Sequence, residues 1–265
     1  MIIERFLVYV QEDCPYIDET TELLGIDGDG ELRILTREPG IAACTDDLAG
    51  FYEHEGLKVG EYVRDGEEFN EGETVFCASG SLKKLFKLWR VSQTFLSMTC
   101  AIATRTRRLV EIARDVNPDV VIATTRKTHP GMRYFEIKAV KSGGGEVHRN
   151  SLSDSILITQ NHLNVIDELE DLRSLKKIEI EPRDTEEALK YVKLADVLLL
   201  DHFSVEELED LVPKLKTLKP SLEIAVAGNI DEWNVGRYAK IADVIVTSTP
   251  YYAKPLDMTT RIART

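Results

Sequence analysis

Cysteine is scarce in this chain of 265 residues and is never clustered. Cys14, Cys44, Cys77 and Cys100 stand far apart, with no CxxC pair among them. That excludes the common zinc spacings, and the four read as small core residues of a protein kept in a reducing cytosol. No apolar run approaches the ~20 residues of a membrane span. The opening Met1-Ile2-Ile3-Glu4-Arg5 lacks the basic and apolar regions of a signal peptide, so a cytoplasmic location is expected. Two common nucleotide loops are missing as well, since the sequence holds neither GxGxxG nor GxxxxGK[ST]. A formal net charge of −13 leaves no electropositive excess for nonspecific nucleic-acid binding. Neither nucleic acid nor membrane is an expected partner.

What is present is an ordinary folding composition, with 43% apolar residues, enough for one large domain or two modest ones. Charge is unevenly distributed. Residues 1–80 carry twenty acids against five Lys or Arg, whereas residues 81–110 carry seven Lys or Arg and no acid. Such a break marks either a domain junction or two solvated faces of opposite sign.

The first eighty residues alternate short apolar stretches with turn signals such as Gly28-Asp29-Gly30, Glu38-Pro39-Gly40 and Asp65-Gly66, the pattern of a small β-rich unit with an early helix. Ser81 can cap a helix from Leu82. Apolar residues at helical spacing then run from Leu82 to Ala113, with no Gly or Pro between 81 and 116, which predicts two helices or one long kinked one. From residue 119 the rhythm becomes strand, helix, strand, helix. Strands are expected near 120–123, 156–158, 178–180, 197–200, 224–227 and 244–246, with helices at 184–195 and 204–217. Repeated βα units imply a parallel sheet covered by helices. Every strand ends in polar or small residues: Arg126 and Lys127, Thr159 and Gln160, Glu181, Asp201, Gly228, and Thr247-Ser248. That distribution favours an α/β barrel with one mouth over a doubly wound sheet with one switch point.

Two short cationic blocks stand out. Thr124-Thr125-Arg126-Lys127-Thr128-His129-Pro130-Gly131 and Gly143-Gly144-Gly145-Glu146-Val147-His148-Arg149 lie within a stretch, 126–149, holding six Lys or Arg and two acids. Clustered cations beside glycine or proline suit a carboxylate or phosphate ligand. Carboxylates are the second element. Period-two alternation puts Glu179 and Glu181 on the strand face opposite Ile178 and Ile180. Asp201 closes the apolar run 197–200. Inward acids need a compensating cation. The pair Glu179 and Asp201 can hold Mg²⁺ or stabilise positive charge developing on a sugar.

These residues carry a resemblance. Thr124 to Thr128, Pro130-Gly131, Arg133, Lys138, Gly143 to Gly145, His148-Arg149, Leu152, Asp154, Leu157-Ile158 and Asn161-His162 together resemble the quinolinate phosphoribosyltransferase family, the nicotinate-nucleotide pyrophosphorylases. Glu12-Asp13 and Asp18-Glu19-Thr20-Thr21 resemble its N-terminal signature. The resemblance covers nearly the whole chain. It implies an N-terminal α/β sandwich with linking helices over 1–103, followed by an open α/β barrel and C-terminal tail over 104–265. It further implies a homodimer or higher homo-oligomer whose sites borrow residues across subunits, with phosphoribosyl pyrophosphate and a small anionic acceptor as substrates and Mg²⁺ as cofactor. By position, Arg90 resembles the arginine that reaches into the neighbouring site. Arg126, His148 and Arg149 resemble ligands of carboxylate and phosphate, and Lys127 and Lys138 resemble active-site lysines. Glu179 and Asp201 resemble the acidic pair near ribose and Mg²⁺, and Gly228 resembles part of the phosphate-binding turn.

The departures are local. Thr159 stands where the family carries a lysine, in Leu157-Ile158-Thr159-Gln160-Asn161-His162. Ala227-Gly228-Asn229 replaces Ser-Gly-Gly, and Thr247 replaces a glycine ahead of Ser248-Thr249-Pro250-Tyr251-Tyr252. With Asp13-Cys14-Pro15-Tyr16, these features are similar to the ModD branch, which accompanies molybdate transport. They imply a changed acceptor, or an anion-binding or regulatory protein with altered turnover. His54 and His129 read as surface or loop residues.

Overall fold

The computed structural model describes all residues except Met1, Asp167 and Asp171. In chain order the first elements are α1 (Ile2–Asp13), α2 (Glu19–Leu23), β1 (Asp29–Thr36), β2 (Gly40–Ile41), α3 (Thr45–His54), β3 (Lys58–Val59), β4 (Glu68–Phe69) and β5 (Thr74–Ser81). Next come α4 (Leu82–Arg114), β6 (Val121–Thr124), α5 (Arg133–Ser142), β7 (Glu146–Val147), β8 (Ile156–Ile158), α6 (Gln160–Leu163), β9 (Ile178–Ile180) and α7 (Thr185–Tyr191). The last are β10 (Val197–Asp201), α8 (Val205–Leu218), β11 (Glu223–Ala227), α9 (Val235–Ala239), β12 (Val244–Thr247), a 3₁₀ turn (Thr249–Tyr252) and β13 (Met258–Arg264). No helix among the described residues is long and apolar enough to cross a membrane.

The chain divides into two compact units. The first comprises Met1–Arg105, Pro130–Gly144 and Tyr252–Thr265; the second comprises Thr106–His129 and Gly145–Tyr251. Both are discontinuous, unlike a simple division after residue 103. The region read as two helices or a kinked one is the single helix α4, as the absence of Gly and Pro allows.

In the first unit an antiparallel sheet runs β13-β1-β5-β3. Alternate residues of β1, Gly30, Leu32, Ile34 and Thr36, are buried, the mark of a strand with one covered face. Phe6 of α1, Phe51 of α3, Phe95 of α4 and Phe135 of α5 form an aromatic cluster. Its ring centroids are 4.9 Å apart for Phe6 and Phe51, 4.8 Å for Phe6 and Phe95, and 4.9 Å for Phe95 and Phe135. Each buried ring contributes roughly 1.5–3 kcal/mol, which explains why α5 belongs to this unit although it follows the first barrel strand in sequence.

The second unit is a seven-stranded parallel sheet in the order β7-β6-β12-β11-β10-β9-β8. Its edge strands, β7 and β8, are consecutive in the chain, so the barrel is open between them. One face carries Ile178, Ile180, Leu198, Leu200, Ile224, Val226 and Ile245, packed with Ala188, Tyr191, Leu208, Leu211 and Leu215 of the covering helices. The opposite, inner face carries Val197, Leu199, Ala225, Ala227 and Val246. Burial on both faces is why these strands read as continuous apolar runs. The expected open barrel after an N-terminal α/β sandwich is the architecture observed.

Candidate active site

Parallel strands deliver their C-terminal ends to one side of the sheet, and there the barrel unit gathers its charged residues. Glu179 lies mid-strand in β9, with Leu157 and Val197 as ladder neighbours, both belonging to the apolar inner face. It is only 7% exposed. A carboxylate so placed needs a polar partner, and its Oε1 lies 2.8 Å from His148 Nε2. His148 directly follows β7, and its backbone N–H donates to Thr124 O over 3.1 Å.

Arg149 comes next. Burial and then the like charge of Arg126 lower its pKa, while Glu179, Asp154 and Glu181 oppose that shift. Glu181 feels the converse. Burial raises its pKa, Asp201 and Glu179 raise it further, and Arg149 and His162 act against them. Arg126, His148, Arg149, Glu179, Glu181 and Asp201 thus share one electrostatic neighbourhood. Lys127, next to Arg126, is exposed, and its backbone N–H donates to Thr125 Oγ1 over 3.2 Å.

Asp201 closes β10 in register with Ala227 of β11. His202 follows in the left-handed region, at φ 64°. Its Nε2 lies 3.9 Å from Asp201 Oδ2, and its backbone N–H donates to Ala227 O over 3.0 Å. Gly228 has φ +101°, and a Cβ there would lie 2.6 Å from His202 N. Only glycine fits both the backbone conformation and the contact. A cleft of about 310 Å³ borders this turn, lined by residues including Arg183, Asp184, Asp201, His202 and Glu207.

No group of three or more His, Cys, Asp or Glu among the described residues is arranged to hold a metal. Mg²⁺ needs only one or two carboxylates beside water and substrate phosphates, and Glu179 and Asp201 are of the right type for that.

Thr159 caps the short helix α6. Its hydroxyl lies 2.9 Å from His162 Nδ1, which also accepts the Thr159 backbone N–H over 3.0 Å.

Two of the residues singled out from sequence lie in the first unit. The Lys138 ammonium sits 2.8 Å from both Asp47 Oδ2 and Asp65 Oδ2. Burial alone would lower its pKa, but hydrogen bonds and charge from the two aspartates outweigh burial and raise it well above the ordinary lysine value. Arg90 is exposed, with its guanidinium 4.0 Å over the Trp89 ring. It borders a groove of about 340 Å³ with Glu12, Asp13, Phe95 and Met98.

Glu181 and His202 were not singled out from sequence as site residues. The period-two spacing with Glu179 was the available signal for Glu181. His202 had none beyond its place after Asp201.

Arg126, Arg149 and the carboxylates Glu179, Glu181 and Asp201 share one electrostatic neighbourhood at the C-terminal ends of parallel strands, and the glycine turn at Gly228 lies against His202, the residue after Asp201. The chain belongs to the quinolinate phosphoribosyl transferase family. The model of that family's C-terminal domain matches residues 102–261, and that of its N-terminal domain matches residues 18–100. A Pasteurella multocida protein named as pyrophosphorylase ModD is 31% identical, over 94% of this chain and 93% of its own length. An Archaeoglobus fulgidus protein named as nicotinate-nucleotide pyrophosphorylase (carboxylating) is 34% identical, over 88% and 95%. The solved structure of the nicotinate-nucleotide pyrophosphorylase from Francisella tularensis superposes with a TM-score of 0.89 at 25% identity, covering 99% of this chain and 96% of that one.

Proposed function

We propose that this protein transfers the phosphoribosyl group of phosphoribosyl pyrophosphate to a pyridine carboxylate or a related small anionic acceptor. The observation that carries the reading is that Arg126 and Arg149 share one electrostatic neighbourhood with Glu179, Glu181 and Asp201, with Lys127 next in sequence to Arg126. An anion binder has no use for three acids beside its cations. A transferase that builds positive charge on a sugar while releasing pyrophosphate uses both signs.

In this mechanism Arg126, Lys127 and Arg149 bind phosphate and carboxylate groups by charge-assisted hydrogen bonds. The Glu179 carboxylate, held by His148, stabilises the oxocarbenium-like charge at C1 of the ribose. A nucleophilic atom of the acceptor forms a bond to C1 as the C1–oxygen bond breaks, and the electron pair leaves with pyrophosphate. Glu179 and Asp201 are the residues that would hold Mg²⁺, which supplies charge stabilisation to the departing pyrophosphate when bound. With quinolinate as acceptor, decarboxylation follows transfer. Gly228 lets the backbone approach a phosphate closely. Arg90 serves the site of a partner subunit in a homodimer, and the protein acts in the cytoplasm.

One observation favours a second reading, a ModD-like anion-binding or regulatory protein tied to molybdate transport, with altered or lost turnover. Thr159 carries no charge and its hydroxyl is engaged with His162, so the cation expected there is missing. Titration calorimetry with phosphoribosyl pyrophosphate and Mg²⁺ tests the primary reading. Saturable binding, weakened in Arg149→Ala, is expected; no binding by the parent protein would refute it.

A further inference from the structure

We propose that Tyr251 is a positioning residue that holds the two cationic blocks, Arg126–Lys127 and His148–Arg149, in fixed relation through Thr124. For what those blocks bind, the proposal rests on the phosphoribosyl-transfer reading.

Tyr251 lies in the 3₁₀ turn after β12 and is 3% exposed. Its hydroxyl donates to Thr124 Oγ1 over 2.7 Å, with Thr125 O at 3.2 Å as a second acceptor. Thr124 is the last residue of β6 and a junction. Its hydroxyl donates to Glu146 O at 3.4 Å, and its carbonyl accepts the His148 N–H. Thr125 accepts the Lys127 backbone N–H on its side-chain oxygen. The tyrosine hydroxyl therefore touches the strand end that launches Arg126 and Lys127, and reaches through Thr124 to the strand that launches His148 and Arg149.

β7 is two residues long and forms an edge of the sheet, laddered to β6. Edge strands this short gain little from backbone pairing. The turn that carries Tyr251 is itself anchored, because the hydroxyls of Thr247 and Thr249 both donate to Ile230 O, over 2.8 and 2.9 Å. The anchored turn thus presents one buried hydroxyl to β6, the strand laddered to β7. Each block places a cation and, in His148, the partner of Glu179, so small shifts of β7 against β6 alter the spacing between Arg126–Lys127 and His148–Arg149.

Tyr251→Phe keeps the ring and removes only the hydroxyl. Thr124→Val removes the acceptor at equal shape, and Thr124→Ser restores it. The measurements are the dissociation constant for phosphoribosyl pyrophosphate with Mg²⁺ and hydrogen–deuterium exchange over residues 146–149. Loss of one buried hydrogen bond predicts roughly fivefold weaker binding in Tyr251→Phe, and at least that loss in Thr124→Val, which also gives up the bond to Glu146 O. It predicts no further loss in the double variant than in Thr124→Val, because the Tyr251–Thr124 bond is already gone there, near-parental binding in Thr124→Ser, and faster exchange at 146–149 in Tyr251→Phe. Unchanged affinity and exchange in Tyr251→Phe would overturn the proposal, as would additive effects in the double variant. A parent protein that fails to bind would overturn the transferase reading instead. Exchange at 146–149 would then decide the tie by itself: faster in Tyr251→Phe supports it, unchanged overturns it.

Discussion

Alanine at Gly228 adds one methyl group to the end of β11 and is expected to displace the end of β10. The new Cβ would meet His202 N at 2.6 Å and His202 Cα and Cγ at 2.9 Å, where ordinary contact is about 3.5–4.0 Å. Two of these three atoms are backbone, so no rotamer change relieves the clash, and the strand ends must part by roughly 1 Å. The His202 N–H to Ala227 O bond, 3.0 Å long, lies directly in that gap. A φ of +101° adds backbone strain for any residue with a side chain. Strain plus the lost bond amounts to about 2–4 kcal/mol, a fall in melting temperature of roughly 5–15 °C. Because Asp201 precedes His202, binding of phosphoribosyl pyrophosphate should weaken as well. Gly72→Ala is the control: its φ is +83° but nothing lies within 4 Å of the added atom, so it carries strain without the clash. Thermal melts of both variants are compared. A Gly228→Ala melting point no lower than that of Gly72→Ala would refute the steric argument.

Lys127→Ala and Arg149→Ala should each weaken binding of phosphoribosyl pyrophosphate and of pyridine carboxylates by roughly ten- to a hundredfold, the size of a lost charge-assisted hydrogen bond; equilibrium titration checks this. Mixing an Arg90→Ala subunit with a Lys127→Ala subunit should restore part of the activity if sites are shared across a dimer, and complete absence of recovery would count against sharing. Lys138→Met leaves Asp47 and Asp65 without their cation; because the pair is only partly buried, the cost should lie between the ~1 kcal/mol of a surface pair and the ~3–5 kcal/mol of a fully buried one, to be read by chemical denaturation. Since the folded pKa of Lys138 is raised, this stabilisation is fully present below the unfolded lysine value of about 10.4. It is lost only as pH rises through the higher folded value, so the difference between parent and variant should hold flat from neutral pH to about 10.

The barrel was legible because strands buried on both faces, such as those over 197–200 and 224–227, leave apolar runs that helical spacing then interrupts. Glu179 was legible as an acid at the inward step of a period-two pattern, between Ile178 and Ile180. β7 was not, since the two residues Glu146 and Val147 offer no period to read. The destination of α5 was hidden too: Phe135 packs on Phe6 and Phe95, and nothing local announces that contact. Lys138 counts toward the cationic excess of residues 126–149, yet its ammonium is committed to Asp47 and Asp65, acids supplied from far upstream. The bond between Tyr251 and Thr124 joins positions 127 residues apart and leaves no trace in either neighbourhood. What remained illegible depends on chain return, which composition and spacing do not encode.

The most direct test is release of pyrophosphate when the protein is incubated with phosphoribosyl pyrophosphate, Mg²⁺ and a panel of pyridine carboxylates. Acceptor-dependent release is predicted. Quinolinate should be a poor acceptor, because a hydroxyl at Thr159 replaces an ammonium worth roughly ten- to a hundredfold in affinity, and Thr159→Lys should improve it. No pyrophosphate with any acceptor would contradict phosphoribosyl transfer. Efficient saturable turnover of quinolinate by the unmodified protein would contradict the account of its pocket.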